Sequence, residues 1–94
     1  FLASVPAQEV RATLTGTITD SSGAPVPGVT ITAVNTATNI SQAQSTNESG
    51  IFSVPFLQPG TYRVTAEKQG FKRYVRENIL LQAQDRARLD IALE

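Results

Sequence analysis

Cysteine, histidine, methionine and tryptophan are all missing from this chain. Without cysteine there is no disulfide framework and no thiol from which a redox compartment could be read. Without histidine as well, the commonest general base, the most reactive nucleophile and the usual zinc ligands are lost together. Long hydrophobic runs are also missing: no stretch approaches the ~20 apolar residues of a membrane-spanning helix, so no direct membrane insertion is expected. Eight basic and eight acidic residues cancel, leaving no global field that would draw the chain to nucleic acid or an anionic membrane. With 94 residues the chain makes at most one domain, its core near the lower limit of self-sufficiency. A net stability of roughly 5–10 kcal/mol is expected.

What the chain does have is punctuation. Gly16, Asp20-Ser21-Ser22-Gly23, Pro27-Gly28, Asn47-Glu48-Ser49-Gly50, Pro59-Gly60 and Gly70 break it into short runs. Most of these runs alternate apolar with polar residues and are too short for a stable helix, the pattern of a small antiparallel β-sandwich. From Ala12 to Thr19, four threonines take one face while Leu14, Gly16 and Ile18 take the other. Gly16, having no side chain to pack, marks a bulge or a close backbone approach. Val29, Ile31 and Ala33 point inward, and Pro27-Gly28 fits a type II turn. Ile40 to Thr46 reads as a weak, polar edge strand to which a partner's strand could add. Phe52 and Val54 face the core, and Pro55 is expected to end ladder pairing there. Pro59-Gly60 reads as a second type II turn, followed by the inward face Tyr62, Val64 and Ala66. The register of Ile79-Leu80-Leu81 stays open, while Ala87, Leu89, Ile91 and Leu93 predict one continuous final strand. Seven strands are expected in all.

The ordered set Leu14-x-Gly16-x-Ile18-x-Asp20-x-x-Gly23-x-Pro25-Val26-x-Gly28-Val29-x-Ile31 resembles the opening of carboxypeptidase regulatory-like domains. Asn47-Glu48-x-Gly50-x-Phe52, Leu57-x-Pro59-Gly60-x-Tyr62-x-Val64 and Gly70-Phe71-Lys72 extend the resemblance across nearly the whole chain. It implies an all-β, seven-stranded Greek-key β-sandwich of prealbumin-like (transthyretin-like) type. Members of that family stand behind carboxypeptidase catalytic domains, in surface adhesins, and at the N-terminus of TonB-dependent outer-membrane receptors. The segment Phe1 to Ala7 reads as the end of an apolar secretion signal, with Val5 and Ala7 at the small-residue positions before Gln8. An ordinary N-terminal tail is the other reading of residues 1–8, with the sandwich domain spanning 9–94. A signal running straight into this domain favours the receptor group and an exported protein of the periplasm or outer membrane.

Several family chemistries fail on residues. The hydrolases of this fold that open 5-hydroxyisourate need histidines. The adhesin repeats form an isopeptide from a lysine on an early strand, whereas the only lysines here are Lys68 and Lys72. Asp20 and Glu48 sit at turns, where bonding to local backbone explains them better than a metal does. No Gly-x-Ser-x-Gly elbow or Ser-x-x-Lys motif supports a serine nucleophile. No enzyme, cofactor or metal is expected. Tyr62, Phe52 and Phe71 read as core. Phe56 and Tyr74 fall outside confident inward positions, and with Lys72, Arg73 and Arg76 they form the candidate contact set for an envelope protein or, alternatively, a glycan. The glycan reading requires Phe56 and Tyr74 to be exposed side by side. The basic, aromatic-interleaved run from Lys68 to Arg76 is flanked by Glu67 and Glu77, and a solvated edge suits it better than nucleic-acid binding. The domain alone is expected to be a monomer.

Overall fold

The computed structural model describes residues 11–94. The expected signal remnant or tail at 1–8 lies outside the described residues. Eight strands follow one another with no helix among the described residues: β1 (Ala12–Thr19), β2 (Thr30–Asn35), β3 (Ser41–Ser45), β4 (Ile51–Leu57), β5 (Gly60–Glu67), β6 (Tyr74–Leu81), β7 (Arg86–Arg88) and β8 (Ile91–Ala92). One sheet has the order β4-β1-β7 with β8 also on β1; the other has the order β3-β2-β5-β6. Their inner faces meet in a single core of Leu14, Ile18, Val29, Ile31, Phe52, Val54, Leu57, Tyr62, Val64, Leu81, Ile91 and Leu93, all buried. This is the sandwich that the alternation implies: in β1 each buried residue is followed by a half-exposed threonine.

The eighth strand corrects the expected seven. The final run does pair in parallel with β1, Leu14 opposite Ala87 and Ile18 opposite Ile91. The ladder is interrupted at Leu89-Asp90, because the Thr17 N–H donates to the Asp90 carboxylate (3.0 Å) instead of to a backbone carbonyl. A side chain that competes for backbone partners splits one strand into two.

Gly16 is a site of close approach. Leu89 N–H donates to the Thr15 carbonyl at 2.8 Å, and a Cβ on residue 16 would stand 1.7 Å from the Leu89 carbonyl oxygen. Two turn expectations change. Gly60 opens β5 with φ +154°, far from the roughly +80° that a type II turn requires at that position. Pro55 does not stop pairing: Leu14 faces Val54 and Ala12 faces Leu57, so β4 carries one extra residue and continues past the proline. The extra residue forms a bulge in which Phe56 takes φ +62°. Proline is tolerated there because β4 is an edge. A second bulge, at Asn78 with φ +60°, settles the open register of β6, where Leu81 is buried and Leu80 exposed.

Polar groups inside the sandwich are satisfied. Thr46 is buried; its hydroxyl donates to the Val26 carbonyl (2.7 Å) and accepts from the Val29 N–H (2.9 Å). The Tyr62 hydroxyl donates to the Gln58 carbonyl at 2.6 Å, as expected of a core tyrosine. Phe71, expected in the core, is half-buried and packs against its margin.

Candidate functional site

Among the described residues no cluster of three or more Asp, Glu, His or Cys side chains could hold a metal. Asp20 is occupied by its own turn: Ser22 Oγ, Ser22 N–H and Ala24 N–H all donate to Oδ1. The Ser22 hydroxyl, with the Ala24 and Ser22 amides behind it, holds the carboxyl below its ordinary pKa. Asp90 is held low chiefly by the Arg88 guanidinium, with the Thr17 amide adding to it. Both carboxylates are explained by local structure.

The expected contact residues separate. Phe56 lies on β4 beside the start of β1, since its neighbour Leu57 faces Ala12. Tyr74 lies on β6 at the other end, lining a shallow hollow with Lys72, Arg73, Ala92 and Leu93. Ala92 pairs with Thr19, the last residue of β1. Phe56 and Tyr74 therefore sit on edge strands of different sheets, near opposite ends of the sandwich. Phe56 is 57% exposed, with the Arg11 guanidinium 4.8 Å from its ring centroid, whereas Tyr74 is half-buried against the core. The side-by-side aromatic pair that a glycan platform would use is not formed.

The basic residues divide as well. Arg73 Nε pairs with Glu67 at 2.7 Å on the rim of an open cleft of about 640 Å³ that Lys68, Gln69 and Phe71 also line. Lys68 Nζ donates to the Pro27 carbonyl (2.5 Å), and the Lys72 N–H donates to the Glu94 carbonyl (2.8 Å). Arg76 pairs opposite buried Val64, so its register puts a charge on the core-facing side of an edge strand, where it stays exposed.

A different feature emerges where β3 meets the end of β4. Gln42 Nε2 donates to the Phe56 carbonyl at 3.0 Å, tying the two edges together. Beside that bond is a mostly apolar depression of about 70 Å³, lined by Asn35, Thr38, Ile40, Gln42, Leu57, Gln58 and Tyr62. Its wall is fixed by Asn35, whose side-chain oxygen accepts from the Ala37 and Thr38 amides (3.0 and 3.3 Å) and so turns the chain toward Ile40. Ile40 itself is 63% exposed. The sequence signal was slight: one isoleucine in an otherwise polar run.

Comparison with known proteins fits this architecture. The family model of the carboxypeptidase regulatory-like domain matches residues 13–94. The TonB-dependent transporter Oar of Myxococcus xanthus is 33% identical over 82 residues, 86% of this chain and 8% of the transporter. Chitinase ChiA of Flavobacterium johnsoniae is 43% identical over 60 residues, 63% of this chain and 4% of the chitinase. The chain thus spans a small fraction of the relatives it matches. A candidate carbohydrate-binding protein of Bacteroides uniformis shares the fold with a TM-score of 0.71 at 20% identity, over 89% of this chain and 41% of that one. With the family model covering all eight strands except the first residue of β1, this chain belongs to the carboxypeptidase regulatory-like domain family.

Proposed function

We propose that this domain is a non-catalytic, exported recognition or spacer module, the periplasmic N-terminal extension of a TonB-dependent outer-membrane receptor. The observation that carries this reading is the 33% identity to the Myxococcus xanthus transporter across 86% of the chain. The site geometry agrees with it. Asp20 is held by its own turn, and Asp90 by Arg88 and the Thr17 amide. What the surface offers is edges and shallow hollows, which suit docking of a protein rather than turnover of a substrate.

Fractionating source cells and blotting with an antibody to this domain tests the reading. A band far larger than 10.1 kDa in the outer membrane is the expected result. A small secreted band would remove the receptor context. A second reading, a carbohydrate-binding or adhesive module, is favoured by the open cleft that sets Phe71 among Lys68, Gln69 and Arg73. The chitinase similarity over 63% of the chain points the same way. Shifts of the Phe71 resonances across a polysaccharide panel would favour this second reading.

A further inference from the structure

The four edges of the sandwich are not treated alike. β4 carries Pro55 and a bulge at Phe56. β6 carries Arg76, Glu77 and a bulge at Asn78. The β7–β8 edge carries Arg86 and Arg88 and is broken at Leu89-Asp90. Charge, proline, bulges and breaks are the devices that stop an edge from accepting another strand. β3, Ser-Gln-Ala-Gln-Ser, has none of them: five regular, uncharged, small or amide residues pair with β2 in unbroken register.

The direction of its free groups follows from the ladder. Asn35 N–H donates to the Ile40 carbonyl and Thr46 N–H to the Val29 carbonyl, so the even-numbered residues of this run bond toward β2. By antiparallel alternation the N–H and C=O groups of Ser41, Ala43 and Ser45 point away from the sheet. The side chains of the even positions point toward the core side, where the depression lined by Ile40, Gln42, Leu57 and Tyr62 opens beside the same edge. An unguarded row of backbone donors and acceptors next to an apolar hollow has the two parts that strand addition uses: main-chain bonds for affinity and a side-chain pocket for specificity.

We propose that β3 is a strand-addition site for an extended, uncharged segment of a partner polypeptide that places one small aliphatic side chain in the hollow beside Ile40. This rests on the recognition role proposed above and names its surface. The hollow is small, about 70 Å³, and suits a short aliphatic side chain rather than an aromatic ring. Its mostly apolar lining disfavours a charged residue, which would lose its hydration without a partner. A second copy of this chain fits less well. Antiparallel pairing of β3 with itself about Ala43 would set Gln44 of one copy opposite Gln42 of the other, offering an amide to the hollow. Five residues a side also bury far less than the ~800 Å² per partner of a stable dimer.

The test is a titration of the isotope-labelled chain with a blocked heptapeptide alternating threonine and valine, beside the same peptide with lysine for its central valine. The expected result is amide shifts at Ser41, Ala43 and Ser45 and side-chain shifts at Ile40, Leu57 and Tyr62. The lysine peptide should bind at least tenfold more weakly. Ala43→Pro removes an outward donor and should abolish binding; Ala43→Lys keeps the backbone donor, adds an edge charge and should weaken binding at least tenfold. Folding of each variant is read from the same spectra. Absence of shifts at β3, or shifts confined to the Lys68–Arg73 cleft, would overturn the proposal. So would β3 shifts that grow with chain concentration alone, which would make the occupant a second copy. Any of these failures leaves the fractionation result untouched, so failure of this site and failure of the receptor reading are told apart.

Discussion

Replacing Gly16 with alanine should be among the most damaging single-methyl additions this domain can receive. Taken by itself, Gly→Ala in an extended strand stabilises by about 0.4–1 kcal/mol, by restricting the unfolded chain. Here the added Cβ would stand 1.7 Å from the Leu89 carbonyl oxygen and 2.7 Å from Phe52 Cε1, where ordinary contact begins near 3.4 Å. β1 and the β7–β8 edge would have to part by well over an ångström. That stretches the Leu89 N–H to Thr15 carbonyl bond (2.8 Å) and the Thr17 N–H to Asp90 bond (3.0 Å) beyond bonding range. Two lost hydrogen bonds and an overpacked Phe52, set against the gain in the unfolded state, leave a net cost of about 2–5 kcal/mol. Against a total of roughly 5–10 kcal/mol this is a large fraction, worth a fall of more than ~10 °C in melting temperature. Urea unfolding followed by circular dichroism gives the change in midpoint at constant slope. Gly23→Ala is the control. Nothing lies within 4 Å of its added carbon, so only the strain of φ +88° is felt, a cost of about 1–2 kcal/mol. A Gly16→Ala midpoint equal to or above the parent would refute the close-approach argument, and a greater loss at Gly23 would refute the ranking.

Thr46→Val should cost about 2–4 kcal/mol, because it strands the Val26 carbonyl and the Val29 N–H in the interior; Thr46→Ser should recover most of the loss in the same unfolding assay. Tyr62→Ala should cost roughly 3–5 kcal/mol as a core truncation, and Tyr62→Phe only about 1 kcal/mol for the bond to Gln58, so equal melting points for the two would contradict the inward register of β5. Asp20 and Asp90 both have folded-state pKa values below the ordinary 3.8, so the unfolded chain binds more protons in that range. Their contribution is complete above 3.8 and is lost as pH falls through the lowered folded values; a double Asn variant should flatten that acid limb of a stability–pH curve, while an unchanged limb would remove both carboxylates from the account.

The alternating runs were legible because burial of one sheet face imposes a period of two; β1 and β2 follow it throughout, and Tyr62, Val64 and Ala66 follow it on β5, where Thr65 is buried as well. Gly16 stands out as a bulge or a close approach for the same reason, an apolar-face position left without a side chain, and the Leu89 carbonyl against it makes it the close approach. The break at Leu89-Asp90 was hidden, since Asp90 occupies a properly polar position and only its reach to the Thr17 amide interrupts the ladder. Pro55 reads as a stop but is one half of a bulge, because the compensating positive φ falls on a phenylalanine, a residue that gives no local warning of it. Phe56 leaves the inward pattern through its bulge, whereas Tyr74 faces buried Ala66 and packs half-buried against the core, and alternation says nothing about which end of the sandwich each occupies. The hollow beside Ile40 is formed by residues from β2, the β2–β3 turn, β3, β4 and β5, so no single window of sequence contains it.

The parallel pairing of β1 with β7 and β8 has a mechanical consequence. Thr13 faces Arg86 near one pole and Thr19 faces Ala92 near the other, so the first and last strands run side by side in the same direction. The chain therefore enters the domain at one pole and leaves at the opposite one, about 25 Å away at ~3.3 Å per residue. Tension applied between those poles pulls the two strands past each other and loads their hydrogen bonds in shear, many at once, rather than peeling them one at a time. A domain strung this way in a longer polypeptide lies in line with the force and resists it along its strongest axis.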